Sequence, residues 1–185
     1  MIHNNNPKFI FLHVGKCAGT SIKVALQSVY NCEYATGHLS LDDIYSKIPH
    51  NYSPSDYFKF SVTRNPWDRH VSLYHHMKTV TKRHPNNPEK KKIEFTGSFE
   101  EFVDISVVQT TPYEEMDYVI RYENISNDYN EILTKLNAPQ VNLPHIDYNT
   151  GRPKTNYQSY YNNRTKEIIA EKYKKDIEYF GYKFI

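Results

Sequence analysis

The sequence predicts an α/β domain with a mainly parallel sheet flanked by helices, and three strand-then-helix segments carry that expectation. Residues 8–14 read as a short buried strand and 15–21 as a turn of small residues. Ile22, Ala25, Leu26 and Val29 then fall at i, i+3, i+4 and i+7, the apolar stripe of a helix. The plan recurs at 57–63, an alternating strand, followed by Asn65 as N-cap and Pro66 in the first turn of a helix running to about Met77. A third strand at 117–123 leads into the stripe of Ile125, Tyr129, Ile132, Leu133 and Leu136. Strands alternating with helices are the mark of a parallel sheet.

A last helix carries Ile168, Ile169, Tyr173 and Ile177, with Gly181 punctuating its end. Two polar stretches, 79–97 and 139–156, read as loops, and the Asn-rich residues 1–7 as a flexible leader. No repeat or linker divides the chain, and 185 residues suffice for one full core. One domain over 1–185 is the expectation.

Composition then narrows the function. Lys and Arg number 23 against 21 Asp and Glu, a net charge of +2 that gives no whole-surface signal for nucleic acid. Any anion binding must rest on local clusters. Mean hydropathy is low, −0.75, yet 17 Tyr and 9 Phe supply large buried areas, and that argues against disorder. No apolar run approaches the ~20 residues of a membrane helix, so no membrane anchor is expected. Cys17 and Cys32 are the only cysteines, which excludes a disulfide framework and makes a reducing cytoplasm the simplest setting.

The turn at 15–21 is the most informative segment. A strand delivers the chain into small residues and a helix starts directly after them. Unpaired amides and the helix dipole favour an anion at such a point. Gly15 and Gly19 permit close backbone approach, Cys17 and Ala18 are small, Thr20 and Ser21 add hydroxyls, and Lys16 adds a positive charge. The spacing differs from G-x-x-x-x-G-K-[ST], because Lys16 precedes Gly19 by three residues.

A second anion site is expected where the strand at 57–63 ends. Arg64 sits at its carboxyl end, the edge where open α/β sheets bind ligands. Ser72 lies about 10 Å of helical rise beyond the cap, and an arginine folded along the helix would share one phosphate with it. Trp67 and Arg69 are assigned structural roles, Arg69 as a surface partner for the Asp68 region.

Together, Lys16–Ser21 and Arg64–Ser72 resemble the two cofactor motifs of the PAPS-dependent sulfotransferase superfamily, most closely the family 2 branch with its carbohydrate O-sulfotransferases. PAPS is 3′-phosphoadenosine 5′-phosphosulfate. The resemblance implies a P-loop, nucleotide-kinase-like fold, a catalytic Lys16 beside the 5′-phosphosulfate, and Arg64 and Ser72 on the 3′-phosphate. Arg121–Ile125 resembles the segment whose tyrosine, here Tyr122, lies by the adenine. Leu143–His145, Tyr160 and Tyr161, and Phe180–Tyr182 resemble the family's C-terminal part, and Arg152 and Lys154 are assigned to closure over the cofactor. Gly15 and Cys17 depart from the family's more frequent proline and threonine, and Cys17 leaves its share of phosphate binding to backbone amides.

Sulfuryl transfer requires stabilisation of the charge growing on the departing phosphate, the part assigned to Lys16 and the helix amides. The transferred group demands no magnesium clamp, and no metal is expected. The acceptor, a hydroxyl expected on a glycan, needs a base near neutrality. His38, past the first helix, is the chosen candidate, with Asp42 and Asp43 next. His13, beneath the turn, reads as scaffold. A basic run of Lys78, Lys82, Arg83 and Lys90–Lys92 reads as solvated surface, or as a lining for an anionic glycan. Two alternatives stay open: an ATP-dependent small-molecule kinase, and a non-catalytic nucleotide-binding protein of the same fold.

Overall fold

A computed structural model describes residues 2–34, 45, 46, 48–79, 95–146 and 152–185. These residues divide into two compact units, one of 1–64 with 109–146 and one of 65–108 with 147–185.

The first unit is a five-stranded mixed sheet in the order β3-β1-β2-β4-β5. Its strands are β1 (Ile2–Asn5), β2 (Lys8–Leu12), β3 (Glu33–Tyr34), β4 (Phe58–Thr63) and β5 (Tyr118–Arg121). Strand β2 pairs parallel with β4, and β4 with β5 at the end of that order, with the register Leu12 to Ser61 and Thr63 to Arg121. The carboxyl ends of these strands lead into the 15–21 turn, Arg64 and Tyr122. Helices α1 (Gly19–Val29) and α2 (Pro66–Thr79) follow β2 and β4, and the helix following β5, here α4 (Ile125–Lys135), comes after a short α3 (Phe99–Ile105) in the chain. Ile22, Ala25 and Leu26 of α1 and Ile132 and Leu133 of α4 bury against Phe9, Phe11, Phe60, Val62 and Ile120 of the sheet. Ile10 and Leu12 instead join Ile48 and Tyr57 in a separate cluster, as alternation along β2 requires.

The sequence reading of 1–7 as a flexible leader needs correction. Residues 2–5 form β1, antiparallel to both β2 and β3, with Ile2, His3 and Asn4 buried. Polar residues of low strand propensity form a strand here because its pairing and burial override propensity. Asn4 ties the turn by donating to the Pro7 carbonyl at 3.0 Å.

The second unit is helical. Asn65 caps α2 as expected, its Oδ1 accepting from the Trp67 amide at 3.1 Å. Trp67, Val71 and Tyr74 of α2 pack with Phe99, Phe102 and Val103 of α3 and with Ile169 of α5 (Asn163–Lys172). Helix α3 went unread in the sequence, although Ser98 and Glu101 form a full capping box that marks its start. The expected single last helix is two, α5 and α6 (Lys174–Phe180), because Tyr173 between them is non-helical at φ −114°, ψ 24°.

Arg69 is not the surface residue that the sequence suggests. Asp68 Oδ1 is held by Arg152 Nη2 at 2.6 Å, whereas Arg69 is buried with its guanidinium 5.7 Å from the Tyr173 ring centre. His70, next to it, is buried and meets Ser106 Oγ at 2.7 Å. Burial first, then the charges of Arg69 and Lys172, push its pKa down to about 3. An unfolded histidine titrates near 6.5, so the unfolded chain takes up a proton that the fold refuses. Stability from this group is therefore complete above about pH 6.5 and is lost as pH falls toward 3, by about 1.4 kcal/mol per pH unit. Urea midpoints measured at pH 7 and pH 5 should fall more for the wild type than for His70→Gln.

Candidate functional site

The first unit places the 15–21 turn, Arg64 and Tyr122 at the carboxyl ends of its parallel strands. Strand β2 ends at Leu12, and α1 begins at Gly19 with Ala18 as its N-cap. The first intrahelical bond runs from Ile22 N to Ala18 O at 3.2 Å, so the amides of 19–21 lie ahead of the helical ladder. Ala18 has no side-chain oxygen to receive them, and no side-chain cap is present. By contrast, α3 and α5 start with capping boxes from Ser98 and Asn162.

Lys16 and Ala18 both adopt left-handed backbone, φ 65° and 59°. Such a conformation costs a non-glycine residue about 1–2 kcal/mol. Strain of this kind persists only where the surroundings hold it. Here they do. Arg64 Nη1 donates to the Lys16 carbonyl at 3.0 Å, the Gly15 amide donates to Gln109 Oε1 at 3.2 Å, and the buried Cys17 thiol donates to the Gly15 carbonyl at 3.6 Å. The thiol thus braces the turn.

Gly19 has a further reason that its sequence position does not show. A Cβ built there would fall inside the His13 imidazole, so the close approach that demands glycine is made by His13. That ring also lies nearly parallel to Phe11, with centroids 6.3 Å apart. Ser21 is buried and its Oγ accepts from the Ile146 amide at 3.2 Å; Thr20 is half-buried beside it.

Arg64 is almost fully buried, 9% exposed, and its guanidinium stacks 4.0 Å from the Tyr122 ring centre. The stack and the bond to Lys16 bring together three residues expected to share a nucleotide. In the helical unit Ser72 is buried on α2. Arg152 is engaged with Asp68, both 19% exposed, and Lys154 is exposed. His38, Asp42 and Asp43 lie outside the described residues, as do Lys82, Arg83 and Lys90–Lys92.

The model of the sulfotransferase family matches residues 1–122, well over half of the chain and all five of the described strands. The chain belongs to the sulfotransferase family. No curated protein and no solved structure is significantly similar to it. The match supports the family 2 branch indicated by the motifs, and it spans Lys16, Arg64, Ser72 and Tyr122. As a sulfotransferase the protein is an enzyme that moves a sulfuryl group from a donor to a hydroxyl-bearing acceptor. Among the described residues no helix is long and apolar enough to cross a membrane. In this sulfotransferase the turn is held by side chains distant in sequence: Gln109, which belongs to no motif, lies 94 residues from Gly15, and Arg64 lies 48 from Lys16.

Proposed function

We propose that this sulfotransferase uses PAPS as donor and transfers its sulfuryl group to a carbohydrate hydroxyl. The observation that carries the reading is the start of α1, which has no side-chain cap and is preceded by Lys16 in a strained, side-chain-braced turn. A helix N-terminus left open in this way favours an anion. The donor's chemistry fits these residues: amides and a lysine for its phosphosulfate, and a buried arginine for its second phosphate.

When bound, PAPS supplies the sulfuryl group, its sulfur parting from the 5′-phosphate oxygen as the acceptor oxygen bonds to it. Lys16 and the amides of 19–21 meet the negative charge left on that oxygen, a preorganised electrostatic role. Arg64 and Ser72 hold the 3′-phosphate, and Tyr122 lies by the adenine. The Arg64–Tyr122 stack supports giving both to the nucleotide end of the donor. Arg152 and Lys154 close over the nucleotide, with Asp68 as the present partner of Arg152. His38 accepts the acceptor's proton.

Thermal shift tests the donor. Adenosine 3′,5′-bisphosphate in EDTA, at a hundredfold excess over its Kd, should stabilise by about 2.7 kcal/mol. In a chain of this size that raises Tm by about 5–10 °C. Stabilisation by magnesium ATP alone would establish the kinase reading instead.

A further inference from the structure

The backbone of Gly15 and Lys16 is held from three directions. Arg64 takes the Lys16 carbonyl, Cys17 the Gly15 carbonyl, and Gln109 the Gly15 amide. Arg64 and Cys17 belong to expected donor motifs, whereas Gln109 belongs to none. Resting on the donor reading above, we propose that Gln109 is a positioning residue for sulfuryl transfer, fixing the Gly15–Lys16 backbone so that the catalytic lysine leaves the turn at one angle.

The chemistry of the contact is specific. A backbone N–H can only donate, so the Gln109 side chain must present its carbonyl oxygen. That bond stands directly before the left-handed Lys16, φ 65°, a conformation that would relax without external ties. The Gly15 amide is committed to Gln109, and the amides at the start of α1 have no side-chain cap. A neutral amide also suits the place. A carboxylate would satisfy the same N–H but set a negative charge near an anionic donor, and an aliphatic side chain would leave a half-buried donor without its acceptor. Displacing a catalytic group by about 1 Å costs on the order of a hundredfold in rate, so a residue that never touches the donor can still govern turnover.

The test compares wild type, Gln109→Leu and Gln109→Glu, with PAPS as donor and a pool of unsulfated glycosaminoglycans as acceptor. Gln109→Leu should lower kcat by about 10- to 100-fold, leave the Kd for adenosine 3′,5′-bisphosphate within about threefold, and speed hydrogen exchange at the Gly15 amide. Gln109→Glu should recover most of kcat, since it restores the acceptor oxygen. It should also raise KM for PAPS, the more so at low salt, where its charge is least screened. A Gln109→Leu kcat within twofold of wild type would overturn the proposal. So would equal losses of kcat and bisphosphate affinity in both variants, which indicate a merely structural role. If the wild type transfers no sulfuryl group and does not bind adenosine 3′,5′-bisphosphate, the donor reading fails by itself. Gly15 exchange then decides separately whether Gln109 holds the turn, and identical exchange in wild type and Gln109→Leu overturns that too.

Discussion

Lys16→Ala is expected to lower kcat for sulfuryl transfer by about 10²–10³-fold, the usual loss when one preorganised donor is removed from a developing oxyanion. That range corresponds to about 3–4 kcal/mol of transition-state stabilisation. Affinity for adenosine 3′,5′-bisphosphate should fall much less, because the amides at the start of α1 remain. Thermal stability should hardly change, since alanine bears the left-handed backbone at φ 65° about as well as lysine does. Steady-state kinetics beside calorimetric titration of the bisphosphate separate these effects. Near-normal turnover in Lys16→Ala would remove the lysine from the mechanism.

Arg64→Ala has the second largest expected effect, and it reaches both parameters. A charged hydrogen-bonding group contributes about 1.5–3 kcal/mol, so the Kd for adenosine 3′,5′-bisphosphate should rise by about 10- to 100-fold. The loss should be far smaller for adenosine 5′-phosphate, which lacks the 3′ group. Because Arg64 also donates to the Lys16 carbonyl, kcat should fall by about tenfold even at saturating donor. Arg64→Lys should regain part of the affinity and little of kcat. Its single ammonium cannot reproduce a planar guanidinium that stacks on Tyr122 while bonding to the turn. Equal loss of affinity for both nucleotides would show that Arg64 does not read the 3′-phosphate.

How much of this was legible in the sequence depends on how local each feature is. The β2-turn-α1 unit is readable because its strand, small residues and helical stripe are contiguous. Asn65 and Pro66 announce α2 for the same reason. Strand β1 was not readable, since His3 and Asn4 favour no strand and depend on β2 and β3 for partners. Helix α3 had a local signal in Ser98 and Glu101 that went unused. The split between α5 and α6 turns on the backbone of Tyr173, which fits the helical stripe by its apolar character alone.

The site divides in the same way. Lys16, Arg64 and Ser72 stand out because their motifs are short and chemically pointed. The ties that hold Lys16 do not. Gln109 sits in a stretch without a motif, and its bond to Gly15 spans 94 positions. The need for glycine at 19 was visible in the sequence, but its cause, the His13 ring, was not. Asp68 is held by Arg152, 84 positions away, a pairing that no local spacing shows.

The most direct measurement is transfer of ³⁵S from labelled PAPS, in EDTA, to panels of glycans, phenols and lipids by wild type and Lys16→Ala side by side. The account predicts labelled glycan from the wild type, with stoichiometric release of adenosine 3′,5′-bisphosphate, and at least a hundredfold less from Lys16→Ala. Absence of labelled product from every panel, or equal labelling by the two proteins, would contradict it.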